Sequence, residues 1–128
     1  MVVEFTIPGK PVPAVRMTQK SMHVNKLAKR YLAYKRQVGW IARSHMQGEP
    51  TDKPVLVNIT FYIHGNRHGD IDNLFKGATD SLNKIVYKDD KQIRQMKSKI
   101  IPCEKDEERT EIQIYELDLA SNAVNQIK

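Results

Sequence analysis

Residues 55–63, VLVNITFYI, constrain the fold more than any other stretch of the chain. Val55, Val57, Ile59, Phe61 and Ile63 recur at every second position, with Asn58, Thr60 and Tyr62 between them. That is the period of a strand whose side chains point alternately to its two faces. Such a strand needs hydrogen-bonding neighbours along its edges and a layer of side chains over its apolar face. The HGNRHG that follows, with Gly65, Asn66 and Gly69, reads as a turn.

The rest of the chain supplies both neighbours and cover. VVEFTI, at 2–7, alternates with Val3, Phe5 and Ile7 on one face, and KQIRQMKSKII and RTEIQIYELDL read as two further strands joined by the charged turn EKDEE. PGKPVPAVRMTQKS is an extended loop, because its prolines break helix and ladder alike. From about Asn25 to Met46 the apolar spacing turns helical, through Leu27, Tyr31, Tyr34, Val38, Ile41 and His45. Lys26, Lys29, Arg30, Lys35, Arg36 and Arg43 fill the positions between, so this helix has a basic face. Trp40 and the tyrosines sit at packing spacing and are expected in the core or at a dimer contact, not as a platform for bases. GEPTDKP is a loop, and a second helix is expected from about Asn73 to Ile85. The order strand, helix, strand, helix, strand, strand predicts an α+β fold: a small mixed sheet of about four strands with two main helices packed on it. No repeat or linker divides it, so residues 1–128 are expected to be one domain.

A chain of 128 residues can bury about two-thirds of its unfolded surface, enough for one core. MVVEFTIPGK lacks the basic start and apolar run of a signal peptide, and no apolar stretch approaches a membrane span. A cytosolic protein without a membrane partner is expected. The single cysteine, Cys103, forms no internal disulfide and reads as a small apolar filler. Lys and Arg number 21 against 15 Asp and Glu, a net charge of +6, which suits a polyanionic partner and is also a solubility device.

Against that basic background, residues 68–93 concentrate Asp70, Asp72, Asp80, Asp89 and Asp90. On a helical wheel with Asp72 at zero, Lys76, Asp80 and Lys84 fall at about 40°, 80° and 120°. Leu74, Phe75, Ala78, Leu82 and Ile85 fall between about 200° and 300°, so one face packs and the other presents alternating charge. Asp70 and Asp72, two residues apart at a strand-to-helix junction, can face one point, and Asp72 is expected at the N-cap. Asp89 and Asp90 precede the next strand. If that strand returns beside 55–63, one of them can complete a three-carboxylate site for a hard divalent cation. Each aspartate taken alone is equally a cap, half of a surface pair or a turn residue.

DIDNLFKGATDSLNKIVYKDDKQI resembles the signature of the RusA family of Holliday junction resolvases, D-x-D-N-L-x-K-x-x-x-D-x-L followed by D-D-x-Q-[IV]. Asp70, Asp72, Asn73, Leu74, Lys76, Asp80, Leu82, Asp89, Asp90, Gln92 and Ile93 occupy its positions. IPGKPVPAVRMT is similar to the family's N-terminal stretch, and VNKLAKRYLAYKRQV to its first basic helix. The departures are mild: His68-Gly69 stand where a basic residue or proline is common before Asp70, and Met17 where proline often follows Arg16.

The resemblance implies a Mg²⁺-dependent homodimeric endonuclease acting on four-way junction DNA. Carried over by position, Asp70, Asp72 and Asp90 are metal ligands and Lys76 the catalytic lysine. Arg16, Lys20, Lys29, Arg30, Lys35, Arg36 and Asn73 are the candidates for DNA contact. The choice of Asp90 over Asp89 rests on the family register. A non-catalytic junction- or duplex-binding protein, or a metal nuclease acting on another branched nucleic acid, stays open on the residues alone. So does host or prophage origin. His64 and His68 have the four-residue spacing of a zinc pair, but the glycines between and beside them argue against the helix such a pair needs.

Overall fold

The computed structural model describes residues 2–16 and 25–118. Strands β1 (Val3–Pro8), β2 (Val55–Ile63), β3 (Ile93–Pro102) and β4 (Arg109–Glu116) form one sheet in the order β1-β4-β2-β3. β4 runs antiparallel to β1 and β2, whereas β3 lies parallel to β2. The sheet is therefore mixed. Helices α1 (Lys26–His45) and α2 (Ile71–Thr79) complete the α+β arrangement expected from the sequence.

Register explains the core. Val3, Ile114 and Val57 stand side by side across three strands, as do Phe5, Ile112 and Ile59. All six are buried against α1 and α2 in one cluster. Ile7, Thr110 and Phe61 continue the row, and the buried Thr110 hydroxyl meets the Tyr34 hydroxyl of α1 at 2.7 Å. The helix-free face is polar: Asn58 Nδ2 donates to Gln113 Oε1 at 2.9 Å, and Gln113 Nε2 donates to Glu4 Oε2 at 2.6 Å. Arg109 covers the Tyr62 ring, 3.7 Å from its centroid, and pairs with Glu111 at 2.8 Å.

α1 starts at Asn25, whose Oδ1 accepts from the Leu27 and Ala28 amides. Its buried face is Ala28, Tyr31, Tyr34, Val38 and Ala42. The two ends of the expected apolar stripe are exposed: Leu27 lies in solvent, and His45 keeps only a tilted contact with the Phe5 ring, centroids 5.9 Å apart. Trp40 is 77% exposed, correcting its expected place in the core. It lies opposite Tyr31 on the wheel, about 180° away.

The second helix is shorter than expected and starts earlier. It begins at Ile71 with Asp70 as N-cap, and Asp72 stands inside the first turn, not at the cap. It ends at Thr79, six residues before Ile85. There the Thr79 hydroxyl turns back to the Phe75 carbonyl at 3.0 Å, and the Tyr87 hydroxyl donates to the Thr79 carbonyl at 3.0 Å. Lys84 takes a left-handed conformation with φ 67, so it is not a helix residue. Leu82 is nevertheless fully buried, from a turn. Among the described residues no helix is long and apolar enough to cross a membrane.

Candidate functional site

Strand pairing decides which aspartates can meet. Ile93 lies beside Val55 and Pro102 beside Ile63, so the segment before β3 sits where β2 begins. The loop to α2 leaves where β2 ends. There Lys10 Nζ, just past β1, reaches the Arg67 carbonyl at 3.2 Å. α2 runs back between the two ends, and its nine residues span on the order of 13 Å. Asp70 at its N-cap and Asp72 in its first turn both have exposed side chains, and Asp70 makes no side-chain cap bond, leaving its oxygens to other donors. Asp80 stands at the C-terminal end.

Asp80 is the α2 carboxylate whose charge reaches Asp90. The Asp90 carboxyl is pushed up, first by a hydrogen bond with Asp89, then by desolvation and by the charges of Asp89 and Asp80. Its neighbour Asp89 moves down, chiefly because its carboxylate accepts the Lys91 amide, at 2.8 Å. Asp89 is also the cap of the short 3₁₀ turn at Asp90–Gln92, with the Gln92 side chain returning to its amide at 2.9 Å. The cap role thus belongs to Asp89, which leaves Asp90 the freer of the two.

A cleft of about 570 Å³ opens between α1, α2 and the proline-rich loop, lined by Ala14, Val15, Arg16, Tyr31, Lys35, Asn73, Lys76 and Asp80. Of the residues singled out from the sequence, it gathers Arg16, Lys35, Asn73 and Lys76. The loop is held in place by the Ala14 amide, which donates to the Asn73 carbonyl at 2.8 Å. Gly69 and Gly77 allow this approach: a Cβ on Gly77 would lie 2.7 Å from the Val12 carbonyl oxygen, and one on Gly69 2.6 Å from Pro13 Cβ. Lys29, Arg30 and Arg36 are exposed on α1 outside the cleft, and Lys20 lies outside the described residues.

Two polar residues of the cleft, Asp80 and Tyr31, were not named beforehand as site residues. Asp80 stood open between half of a surface pair and a residue facing a site, and Tyr31 read as packing; the Tyr31 hydroxyl donates to Asp80 Oδ2 at 3.4 Å. The signal was present for Asp80, which follows Lys76 by four residues on the polar face of the wheel.

Among the described residues no three His, Cys, Asp or Glu side chains converge closely enough to hold a metal ion. Carboxylate oxygens are the donors Mg²⁺ takes, commonly one or two of them with waters and substrate phosphate. The uncapped Asp70 with Asp72 fits that demand. A cage of Asp70, Asp72 and Asp90 does not form within this chain as it stands. His64 and His68 each point a ring Nδ1 at a separate backbone carbonyl, Cys103 and Gly69, both at 2.9 Å.

A family model described as Endodeoxyribonuclease RusA matches residues 8–115, which takes in the proline-rich loop, both helices and strands β2, β3 and nearly all of β4, but only the last residue of β1. A protein of Bacillus subtilis (strain 168), named Uncharacterized protein YqaN, is 25% identical over 140 residues, covering 90% of this chain and 96% of its own.

Proposed function

Because the chain belongs to the RusA family of endodeoxyribonucleases, we propose that it is a Mg²⁺-dependent homodimeric enzyme resolving four-way DNA junctions by paired symmetric nicks. Family membership implies a Holliday junction nuclease of generally divalent-metal-dependent type; the metal identity, the paired cuts and the residue roles are our reading. Recombination and repair of DNA in a bacterial cytosol is the setting that fits it. The family match across residues 8–115 is the observation that carries this reading.

We assign Asp70 and Asp72 as metal ligands and Asp90 as the third catalytic carboxylate, with Lys76 acting on the scissile phosphate. Bound Mg²⁺ would supply water activation and charge relief on the non-bridging oxygens. Lys76, one helical turn from Asp72, offers an ammonium to the same phosphate and stabilises negative charge as it develops. Arg16, Lys35 and Asn73 hold the strand beside it in the cleft. Lys20, Lys29, Arg30 and Arg36 contact the DNA backbone further out, positioning the junction without reading its sequence. Two nicks in strands of like polarity need two sites related by a two-fold axis, which a symmetric homodimer provides.

The test is cleavage of a synthetic four-way junction beside a linear duplex, with and without Mg²⁺. Paired nicks in the junction alone, and only with Mg²⁺, are expected; equal cutting of the duplex would overturn the substrate assignment. Asp70→Asn and Asp72→Asn should abolish cutting and weaken Mg²⁺ binding. Asp90→Asn should also abolish cutting, and the Mg²⁺ affinity of that variant separates a ligand from a residue acting on the phosphate. An isolated heterodimer of wild-type and Asp72→Asn chains should give single nicks in place of paired ones.

A further inference from the structure

α1 carries no acidic residue, and its outward face is cationic around a single exposed aromatic ring. Trp40, 77% exposed, lines a shallow hollow of about 220 Å³ with Arg43 and Ser44. Lys29, Arg36 and Arg43 all lie within about 60° of Trp40 around the helix axis. Arg36 and Arg43, at four residues before and three after, are its surface neighbours. Among the described residues neither arginine has a carboxylate partner. None of these groups lines the cleft that holds Lys76.

An apolar ring of this size left in water beside unpaired guanidinium groups asks for an occupant that is both flat and anionic. We propose that Trp40 is a stacking site for an unpaired base of a DNA strand, with Arg36 and Arg43 on the phosphates either side of it. Every base has a π-face, so stacking on an aromatic side chain tolerates any sequence, while the arginines supply the charge match. Trp40 is five residues beyond the cleft residue Lys35, on the order of 8 Å along the helix axis and about 140° around it, so a strand leaving the cleft reaches Trp40 by crossing over α1 across several nucleotides. A second copy of α1 is a poor occupant, because two-fold packing would set this cationic face against itself. A lipid surface is a poor one too, since the apolar face of α1 is already in the core.

This site rests on the DNA-binding part of the proposed function and not on cleavage. Trp40 is the only tryptophan in the chain, so its fluorescence reports this one position. The full-length protein is titrated without divalent metal against oligothymidylate, an abasic strand of the same length, and a blunt duplex. Quenching by oligothymidylate and by a four-way junction with unpaired bases at its centre is expected, with little from the abasic strand or the duplex. Read by the anisotropy of a fluorescently labelled oligothymidylate, because these variants lack tryptophan, Trp40→Ala should weaken binding by about tenfold and Trp40→Phe should restore most of it. Circular dichroism unchanged from wild type confirms the fold of each. Equal quenching by the abasic strand would overturn the proposal, as would quenching that follows protein concentration without DNA, which marks a contact between copies. Base-dependent quenching by a protein that cuts no junction would retire the nuclease reading and leave this site standing.

Discussion

The Tyr31 hydroxyl donates to Asp80 Oδ2 across the cleft between α1 and α2, at 3.4 Å. That contact joins the long basic helix to the end of the short acidic one, on the wall that also carries Lys76 and Lys35. Burial, and then the Asp80 charge, push the Tyr31 phenol up to about 12. The Tyr31 hydroxyl therefore stays a donor to Asp80, which lines the cleft with Lys76 and Lys35 and whose charge also reaches Asp90.

Asp80→Asn keeps the shape and removes that charge. Lys76 and Lys35 are then unopposed and relax toward solvent or toward each other's counterions. Junction cleavage should fall by on the order of a hundredfold, the scale of a small misplacement in a reacting site. Junction affinity should hold or rise, because an anion has left a DNA-facing cleft. Tyr31→Phe loses one long hydrogen bond, about 0.5–1 kcal/mol of stability, with cutting little changed. Equal loss of cutting in both variants would mean that the contact, and not the charge, matters.

Gly77→Ala should destabilise the protein by about 2 kcal/mol or more. The new methyl would meet backbone on two sides, the Val12 carbonyl oxygen at 2.7 Å and the Ala14 amide at 3.0 Å. Backbone cannot swing aside as a side chain can, so the proline-rich loop must lift from α2. Gly9→Ala is the comparison: it has φ 94 and nothing within 4 Å, so it carries only conformational strain, roughly 1 kcal/mol. Denaturant unfolding of the two variants should place Gly77→Ala clearly lower.

Lys84 and Lys76 fall on one face of an idealised wheel, yet they are not alike. Lys76 lines the cleft, whereas Lys84 stands in a turn at φ 67. Lys76→Ala should lose cleavage by orders of magnitude and Lys84→Ala should leave it near wild type. Lys84→Gly relieves a left-handed residue and should stabilise the fold by about 0.5–1 kcal/mol. Matching losses of cutting at the two lysines would show that bulk charge alone is at work.

Alternation made the strands readable, because Val55 to Ile63 and Arg109 to Glu116 repeat at a period that only a sheet satisfies. α1 was readable for the same reason at its own period, whereas the cap at Asn25 is seen only in the structure. The end of α2 was not. Leu82 and Ile85 continue the apolar stripe of the wheel, but burial from a turn gives the same pattern as burial from a helix. The Tyr87 hydroxyl that takes up the Thr79 carbonyl comes from eight residues on, beyond the turn that a helical pattern describes. Placing Asp90 needed more still. Whether Asp89 and Asp90 stand beside Asp72 or beside Asp80 depends on β3 pairing parallel to β2, a choice that no local pattern carries. Trp40 was legible on the wheel, about 180° from Tyr31, and only its grouping with the tyrosines put it in the core; its other expected place, a dimer contact, is untouched by its exposure.

Alkaline conditions should weaken the fold through Tyr34. Its phenol is buried against the sheet, and burial pushes it up to about 12, with the Thr110 hydrogen bond opposing part of that rise. In the unfolded chain a tyrosine ionises near pH 10. Below that pH Tyr34 is neutral in both states and its packing contributes in full. Between about 10 and 12 the unfolded state releases the proton while the folded state keeps it, so the unfolded state gains at about 1.4 kcal/mol per pH unit. Stability measured by urea unfolding should therefore decline across that window, and Tyr34→Phe, which cannot ionise, should decline less steeply. Parallel slopes in wild type and Tyr34→Phe would show that Tyr34 titrates as if exposed and would contradict its place beneath α1.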